Sequence, residues 1–272
     1  MKKIILAFDG MHFSKGAFEF ARKLNDVQPA LLVGVFLPQT SLANTWNYAE
    51  AELGSIPVTD GYETKTINQN IDRFEKLCVK NGIEHRVHKD FYDLALPEMA
   101  KESEYADLLI LGSEKFYENT GVSSPNSYLR TALHDIKCPV ILVPEEFEFP
   151  ENVILAYDGT EQSVYAIKQF AYLFPETAKM PTLLVYVSKN TAEEFPGKGQ
   201  IEELVARHFP DLTLLKLDIN PKKYFGTWLL ENKSPILVSG SYGRSTFSQF
   251  LKKSFVSDII AEHRLPVFVA HK

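Results

Sequence analysis

The chain has 272 residues, with 45% hydrophobic and 24% charged residues, which is the composition of a folded globular protein rather than a disordered or fibrous one. Its net charge of −6 argues against a protein that coats nucleic acid, because binding to the phosphate backbone needs clustered lysine and arginine. Two cysteines cannot form a disulfide framework, and no apolar run approaches the roughly 18 residues that span a bilayer. We therefore expect a cytoplasmic protein whose partners are small molecules or proteins, with no nucleic acid and no membrane.

The first half alternates strands with helices. The strands are continuous apolar runs, which is typical of parallel strands that are buried on both faces. They are predicted at Lys3 to Phe8, Ala30 to Phe36, Asp107 to Leu111 and Val140 to Val143, with a weaker candidate at His85 to His88. The helices are predicted at Ser14 to Leu24, Thr64 to Lys80 and Ser127 to Ile136, with an insertion near residues 42–62. The pair His85 and His88 would lie on opposite faces of a strand, which favours surface histidines over a metal site.

The second half repeats the first. Residues Ile4 to Gly10 return as Val153 to Gly159, and Leu108 to Ser113 return as Ile236 to Ser241. Its strands are predicted at Val153 to Tyr157, Thr182 to Val187, Pro235 to Val238 and Val267 to Ala270, with a weaker one at Leu212 to Leu217. Its helices are predicted at Ser163 to Phe174, Gln200 to His208 and Ser254 to Glu262. The repeat predicts two tandem α/β domains, 1–146 and 150–272, each a doubly wound five-stranded parallel sheet with helices on both faces.

A candidate binding crevice follows from this fold. Open parallel sheets bind ligands at the carboxyl ends of their strands, which in the second domain are followed by Asp158, Val187 and Gly240. Glycines there would let backbone N–H groups approach a phosphate, and the helix beginning at Ser254 would offer free amides. The structural alternative is that Gly240 and Gly243 only form a tight turn and that Ser254 only caps a helix.

The sequence resembles the universal stress protein superfamily over essentially the whole chain. The features that carry the resemblance are the strand-ending Asp-Gly, the glycine loop, the closing Pro-Val strand and the duplication. The nucleotide-binding branch of that superfamily carries Gly, two residues, Gly, nine residues, Gly, then Ser or Thr; here Gly240, Gly243 and Ser254 match, and Lys253 replaces the third glycine. The Lys253 side chain would either occupy space that a ligand needs or donate hydrogen bonds from its ammonium group to the phosphates. The resemblance implies Rossmann-like domains of strand order 3-2-1-4-5 that bind an adenine nucleotide, ATP with Mg²⁺ being the first candidate. The residues it assigns to that ligand are Ala156, Asp158, Val187, Ser239, Gly240, Gly243, Lys253, Ser254 and Phe255.

The first domain departs from the motif, with Lys115 at the second glycine position and Pro125 and Asn126 further on. We therefore expect this half to bind no nucleotide, or to bind a different ligand. Asp9 and Asp158 could be catalytic carboxylates, but turn or cap residues are equally common at such positions. No catalytic base and metal set is recognisable, so the ligand is expected to be regulatory, with at most weak ATPase activity. The alternative function is a stress-response scaffold that binds proteins and no nucleotide. The apolar closing strands are expected to pair within the chain as a pseudo-dimer, and a homodimer of whole chains is left open.

Overall fold

Two sets of five strands form the core of the protein. The computed structural model describes residues 2–38, 61–89, 95–117, 127–188, 194–219, 221–240 and 265–270. The first set is β1 (Lys2–Phe8), β2 (Ala30–Phe36), β3 (His85–Lys89), β4 (Leu108–Gly112) and β5 (Val140–Val143). The second is β6 (Asn152–Tyr157), β7 (Thr182–Ser188), β8 (Leu212–Asp218), β9 (Pro235–Ser239) and β10 (Val267–Val269).

All of these strands belong to one sheet, in the order β3-β2-β1-β4-β5-β10-β9-β6-β7-β8. Within each set the neighbouring strands are parallel, and both sets have the order 3-2-1-4-5. The predicted fold class is therefore confirmed. Both weaker strand candidates, β3 and β8, are strands, and each lies at an outer edge of the sheet.

The two halves join through their closing strands. β5 and β10 pair antiparallel, with Val267 opposite Leu142 and Val269 opposite Val140. Both strands are buried along their whole length. Their pairing covers two apolar edges that would otherwise be open to association with another chain.

The helices are α1 (Lys15–Val27), α2 (Gly61–Lys80), α3 (Ala95–Ser103), α4 (Ser127–Asp135), α5 (Glu161–Leu173), α6 (Lys198–His208) and α7 (Pro221–Leu230). The helices α3 and α7 were not predicted, because both are short and the breakers Pro97 and Gly226 lie inside them. Each provides the crossover that a parallel strand pair requires. The predicted helix at Ser254 to Glu262 and insertion residues 42–60 lie outside the described residues.

Helices cover both faces of the sheet. One face packs against α1, α2, α5 and α6, with side chains such as Phe20, Phe74 and Phe170 in its core. The other packs against α3, α4 and α7, with Met99 and Phe225 among its buried side chains. Among the described helices, none is both long and apolar enough to cross a membrane.

Candidate functional site

The carboxyl ends of β6, β7 and β9 meet at one edge of the second half. β6 lies between β7 and β9, and the chain runs from β6 out to β7 and β8 before it returns to β9 on the other side. The strand order therefore reverses between β6 and β9, which is where open α/β sheets form their ligand crevice. Five predicted site residues lie at this edge: Ala156, Asp158, Val187, Ser239 and Gly240. The other four, Gly243, Lys253, Ser254 and Phe255, lie outside the described residues.

Asp158 forms the turn between β6 and α5. Its Oδ1 atom accepts hydrogen bonds from the backbone N–H of Thr160 at 3.0 Å and from the Thr160 hydroxyl at 2.6 Å. Thr160 in turn caps α5, accepting from the backbone N–H of Ser163. The Asp158 side chain is exposed, and in the described part of the chain its Oδ2 atom has no hydrogen-bond partner. One carboxylate oxygen at the predicted crevice is thus available to accept a hydrogen bond from a ligand.

The segment before α6 covers one side of the end of β6. Gly159 has a φ of 81°, and a Cβ there would lie 2.7 Å from the Cβ of Pro196. The Tyr157 hydroxyl donates to the Pro196 carbonyl at 2.8 Å, and its ring stacks on Phe195 at 5.4 Å between centroids. Burial and then the Asp158 carboxylate raise the pKa of Tyr157, so this phenol stays a neutral donor.

Gly240 has a packing role that needs no ligand. A Cβ on Gly240 would lie 2.3 Å from the backbone carbon of Gln162 and from the backbone nitrogen of Ser163. A Cβ on Gly112, the equivalent glycine of the first half, would in the same way lie 2.5 Å from the Oγ atom of Ser14. In both halves, the first glycine of the motif lets the helix after the first strand approach the end of the fourth strand.

The matching edge of the first half is filled by the chain itself. Asp9, only 4% exposed, accepts from the backbone N–H of His12 at 2.7 Å and from that of Tyr117 at 2.9 Å. Its Oδ2 atom also lies 2.8 Å from the His12 Nδ1 atom. The Tyr117 hydroxyl donates to the Leu37 carbonyl at 2.7 Å. In the strand register Leu37 corresponds to Val187 and Asp9 to Asp158, so Tyr117 contacts the counterparts of two of the residues that the resemblance assigns to the ligand.

A carboxylate of the first half lies at the start of its own α1 helix. The Ser14 hydroxyl donates to Oε1 of Glu145, and the backbone N–H of Lys15 donates to Oε2 at 3.1 Å. The N-terminus of α1 is therefore already capped by a negative charge. Neither this contact nor that of Tyr117 was predicted, since each joins residues more than 100 positions apart.

The histidines and other candidate ligands do not form a metal centre in the described ranges, where no three His, Cys, Asp or Glu side chains cluster suitably. His85 Nδ1 lies 3.0 Å from the Ile83 carbonyl, and His88 Nδ1 lies 2.8 Å from the Glu102 carboxylate. Each of these two histidines thus has a contact within the chain, and neither needs a metal to explain its position.

Comparison with known proteins gives one match in sequence and several in structure. No model of a known protein family matches the chain. A protein of Aquifex aeolicus described as a MEMO1 family protein is 26% identical over 140 residues, which are 49% of this chain and 37% of that protein. The chain therefore matches well under half of the length of this relative.

Solved structures match the whole chain. A universal stress protein from Archaeoglobus fulgidus superimposes with a TM-score of 0.70 at 17% identity, covering 100% of this chain and 96% of that one. A Pseudomonas aeruginosa protein described as a universal stress protein has a TM-score of 0.58 at 12% identity, covering 100% and 93%. A functionally unknown protein of the same species has a TM-score of 0.54 at 11% identity, covering 100% of this chain and 92% of that one. The resemblance stated from the sequence is confirmed at the level of the fold, which both halves share with these structures.

Proposed function

Because the chain has the universal stress protein fold over its full length, we propose that it is a cytoplasmic tandem stress-response protein of that superfamily. In this proposal it binds one adenine nucleotide, ATP with Mg²⁺ as the first candidate, and the ligand is regulatory. The site is the crevice of the second half. The β5–β10 pairing would make the chain an intrachain counterpart of a dimer, with domains 1–146 and 150–272 as its two halves.

The observation that carries the proposal is the difference between the two edges. In the first half, the Asp9 carboxylate uses both oxygens within the chain, and the Leu37 carbonyl accepts from Tyr117. In the second half, Asp158 is exposed, its Oδ2 atom has no hydrogen-bond partner among the described residues, and Val187 is partly exposed. This contrast supports a ligand site in the second half rather than in the first.

The roles proposed for the site residues are those that the resemblance to universal stress proteins implies. The open oxygen of Asp158 suits a ribose hydroxyl, and the end of β7 at Val187 suits the base. Ser239 ends β9 on the other side of the switch point, and Gly240 follows it directly. Glycine-loop amides and the Ser254 hydroxyl would receive the phosphates, with Lys253 as a point charge beside them.

Isothermal titration of ATP, ADP and AMP with Mg²⁺ into the full chain tests the proposal. We expect binding at one site per chain, and at least a tenfold weaker affinity in Asp158→Ala, because hydrogen bonds to a charged group contribute about 1.5–3 kcal/mol. The matched control is Asp211→Ala, at an exposed carboxylate just before β8, at the opposite edge of the same half. Two sites per chain, or no heat with any nucleotide, would contradict the proposal.

The second candidate is a scaffold that acts through protein contacts and binds no nucleotide. The residue that favours it is Lys253, which stands where the family motif has glycine. Titration of Lys253→Gly beside the natural chain separates the two. Binding in the variant alone would mean that this side chain closes the site, whereas a nucleotide that copurifies at one per chain would exclude the scaffold.

A further inference from the structure

A groove runs between α1 and α2 on the outer side of the first half, on the face of the sheet that these helices cover. Its volume is about 330 Å³, which is within the range of clefts that hold small ligands. Apolar side chains line it, among them Phe13, Phe18 and Leu77. We call it the α1–α2 groove. None of the residues assigned to the nucleotide crevice belongs to it.

One of the cations in the α1–α2 groove is neutralised within the chain. The Arg22 guanidinium makes two hydrogen bonds to the Glu19 carboxylate, at 2.8 and 2.6 Å, and a third to Asp26 at 2.7 Å. Glu19 is the one carboxylate among the described lining residues. The acidic charge of the groove is therefore already paired.

The other three cations have no such partner. Lys15, Arg73 and Lys80 are exposed, and in the described part of the chain none has a carboxylate within 4 Å of its charged group. The Arg73 guanidinium lies 4.3 Å from the centre of the Phe13 ring. Stacking of this kind holds the planar group in place while its N–H groups stay available to bind an anion in two hydrogen bonds.

The positive charge of the α1–α2 groove is opposite in sign to the net charge of the chain. The chain carries a net charge of −6, yet the α1–α2 groove concentrates unpaired positive charge around an apolar floor. Like charges that share a groove repel one another, and a bound anion would relieve that repulsion. Phe13 and Phe18 are 9% and 4% exposed and Leu77 is half-buried, so the groove also offers a small apolar surface on which a ligand can bury hydrocarbon.

We propose that the α1–α2 groove binds a small organic anion, a carboxylate or phosphate carried on an apolar chain or ring. Arg73 and its neighbouring lysines bind the charged group, and the half-buried Leu77, with the small exposed parts of Phe13 and Phe18, contacts the apolar part. The ligand is a free molecule rather than part of a bilayer. This site does not depend on the proposed nucleotide site.

The test is calorimetric titration of octanoate, below its micelle concentration, into the full chain. Octanol serves as the neutral analogue, inorganic phosphate as the anion without hydrocarbon, and phosphatidylglycerol vesicles as the membrane source. We expect saturable binding of octanoate, at least tenfold weaker binding of octanol and of phosphate, and weaker octanoate binding as salt is raised.

The variants decide whether the α1–α2 groove is responsible. Arg73→Gln combined with Lys80→Gln should raise the octanoate dissociation constant at least tenfold, while Arg86→Gln, an exposed arginine on β3 outside the groove, should leave it unchanged. All variants should remain folded with a cooperative thermal melt, the Arg73 variant melting slightly lower because it loses the stacking on Phe13. Lack of saturable octanoate binding, equal binding of octanol, the same loss in Arg86→Gln, or binding to vesicles alone would overturn the proposal.

Discussion

Replacing Gly240 by alanine tests the packing that joins β9 to α5. The added Cβ would lie 2.3 Å from two backbone atoms of the first turn of α5, in Gln162 and Ser163. Ordinary contacts between such atoms are above 3.4 Å. No side-chain rotation can relieve this overlap, so β9 and α5 must separate.

Overpacking of a well-packed core costs about 1–3 kcal/mol, and the upper end applies here because the obstruction is backbone. At about 2–4 °C per kcal/mol for proteins near this size, the melting temperature should fall by about 6–12 °C. The matched control is Gly226→Ala inside α7, where a Cβ meets nothing within 4 Å. Alanine there should stabilise the protein, by roughly 0.5–1 kcal/mol, because it is the better helix former.

The first half provides a second control. At Gly112 the obstruction is the Ser14 side chain, so Ser14→Gly should recover part of the stability lost in Gly112→Ala. Thermal melts followed by circular dichroism measure all four variants. Melting of Gly240→Ala at the natural temperature would refute the reasoning. The destabilisation expected there also means that lost nucleotide binding in Gly240→Ala would not identify a phosphate contact, for which Asp158→Ala is the cleaner variant.

Three further predictions concern the first half. Tyr117→Phe removes the donor to the buried Leu37 carbonyl and should cost about 1–3 kcal/mol in urea unfolding, whereas an unchanged midpoint would show that the bond is dispensable. Ser14→Ala removes the α1 cap and should cost about 1 kcal/mol by the same assay. Burial raises the pKa values of Cys78 and Cys138 to about 12, so neither thiol should react with Ellman's reagent at pH 8 until the protein is unfolded. Because thiols in the unfolded chain have a pKa of about 8.5, the free energy of unfolding should fall as the pH rises above that value. Rapid labelling of the folded chain would contradict this account.

The strands were within reach of the apolar pattern of the sequence, and their order was implied by the resemblance to universal stress proteins. Buried parallel strands are apolar on both faces, so β1, β2 and β5 stand out as continuous runs whose bounds agree with the structure to within a residue. The duplication then predicts the second half from the first. Helices whose pattern is interrupted were missed, as α3 and α7 show, because Pro97 and Gly226 weaken a local signal that tertiary packing overrides.

The state of the two edges depends on tertiary structure. Asp9 and Asp158 follow the same apolar run and precede the same glycine, so the sequence treats them alike. Tyr117, which is 108 positions from Asp9, closes the first edge, and no counterpart in the described part of the second half closes the other. Periodicity reports only on neighbours along the chain, whereas a carboxylate becomes buried or stays open according to what the fold brings against it from far away. The sequence by itself therefore determined the strands and the candidate residues, and the tertiary structure decided that Tyr117 and His12 fill the edge at Asp9.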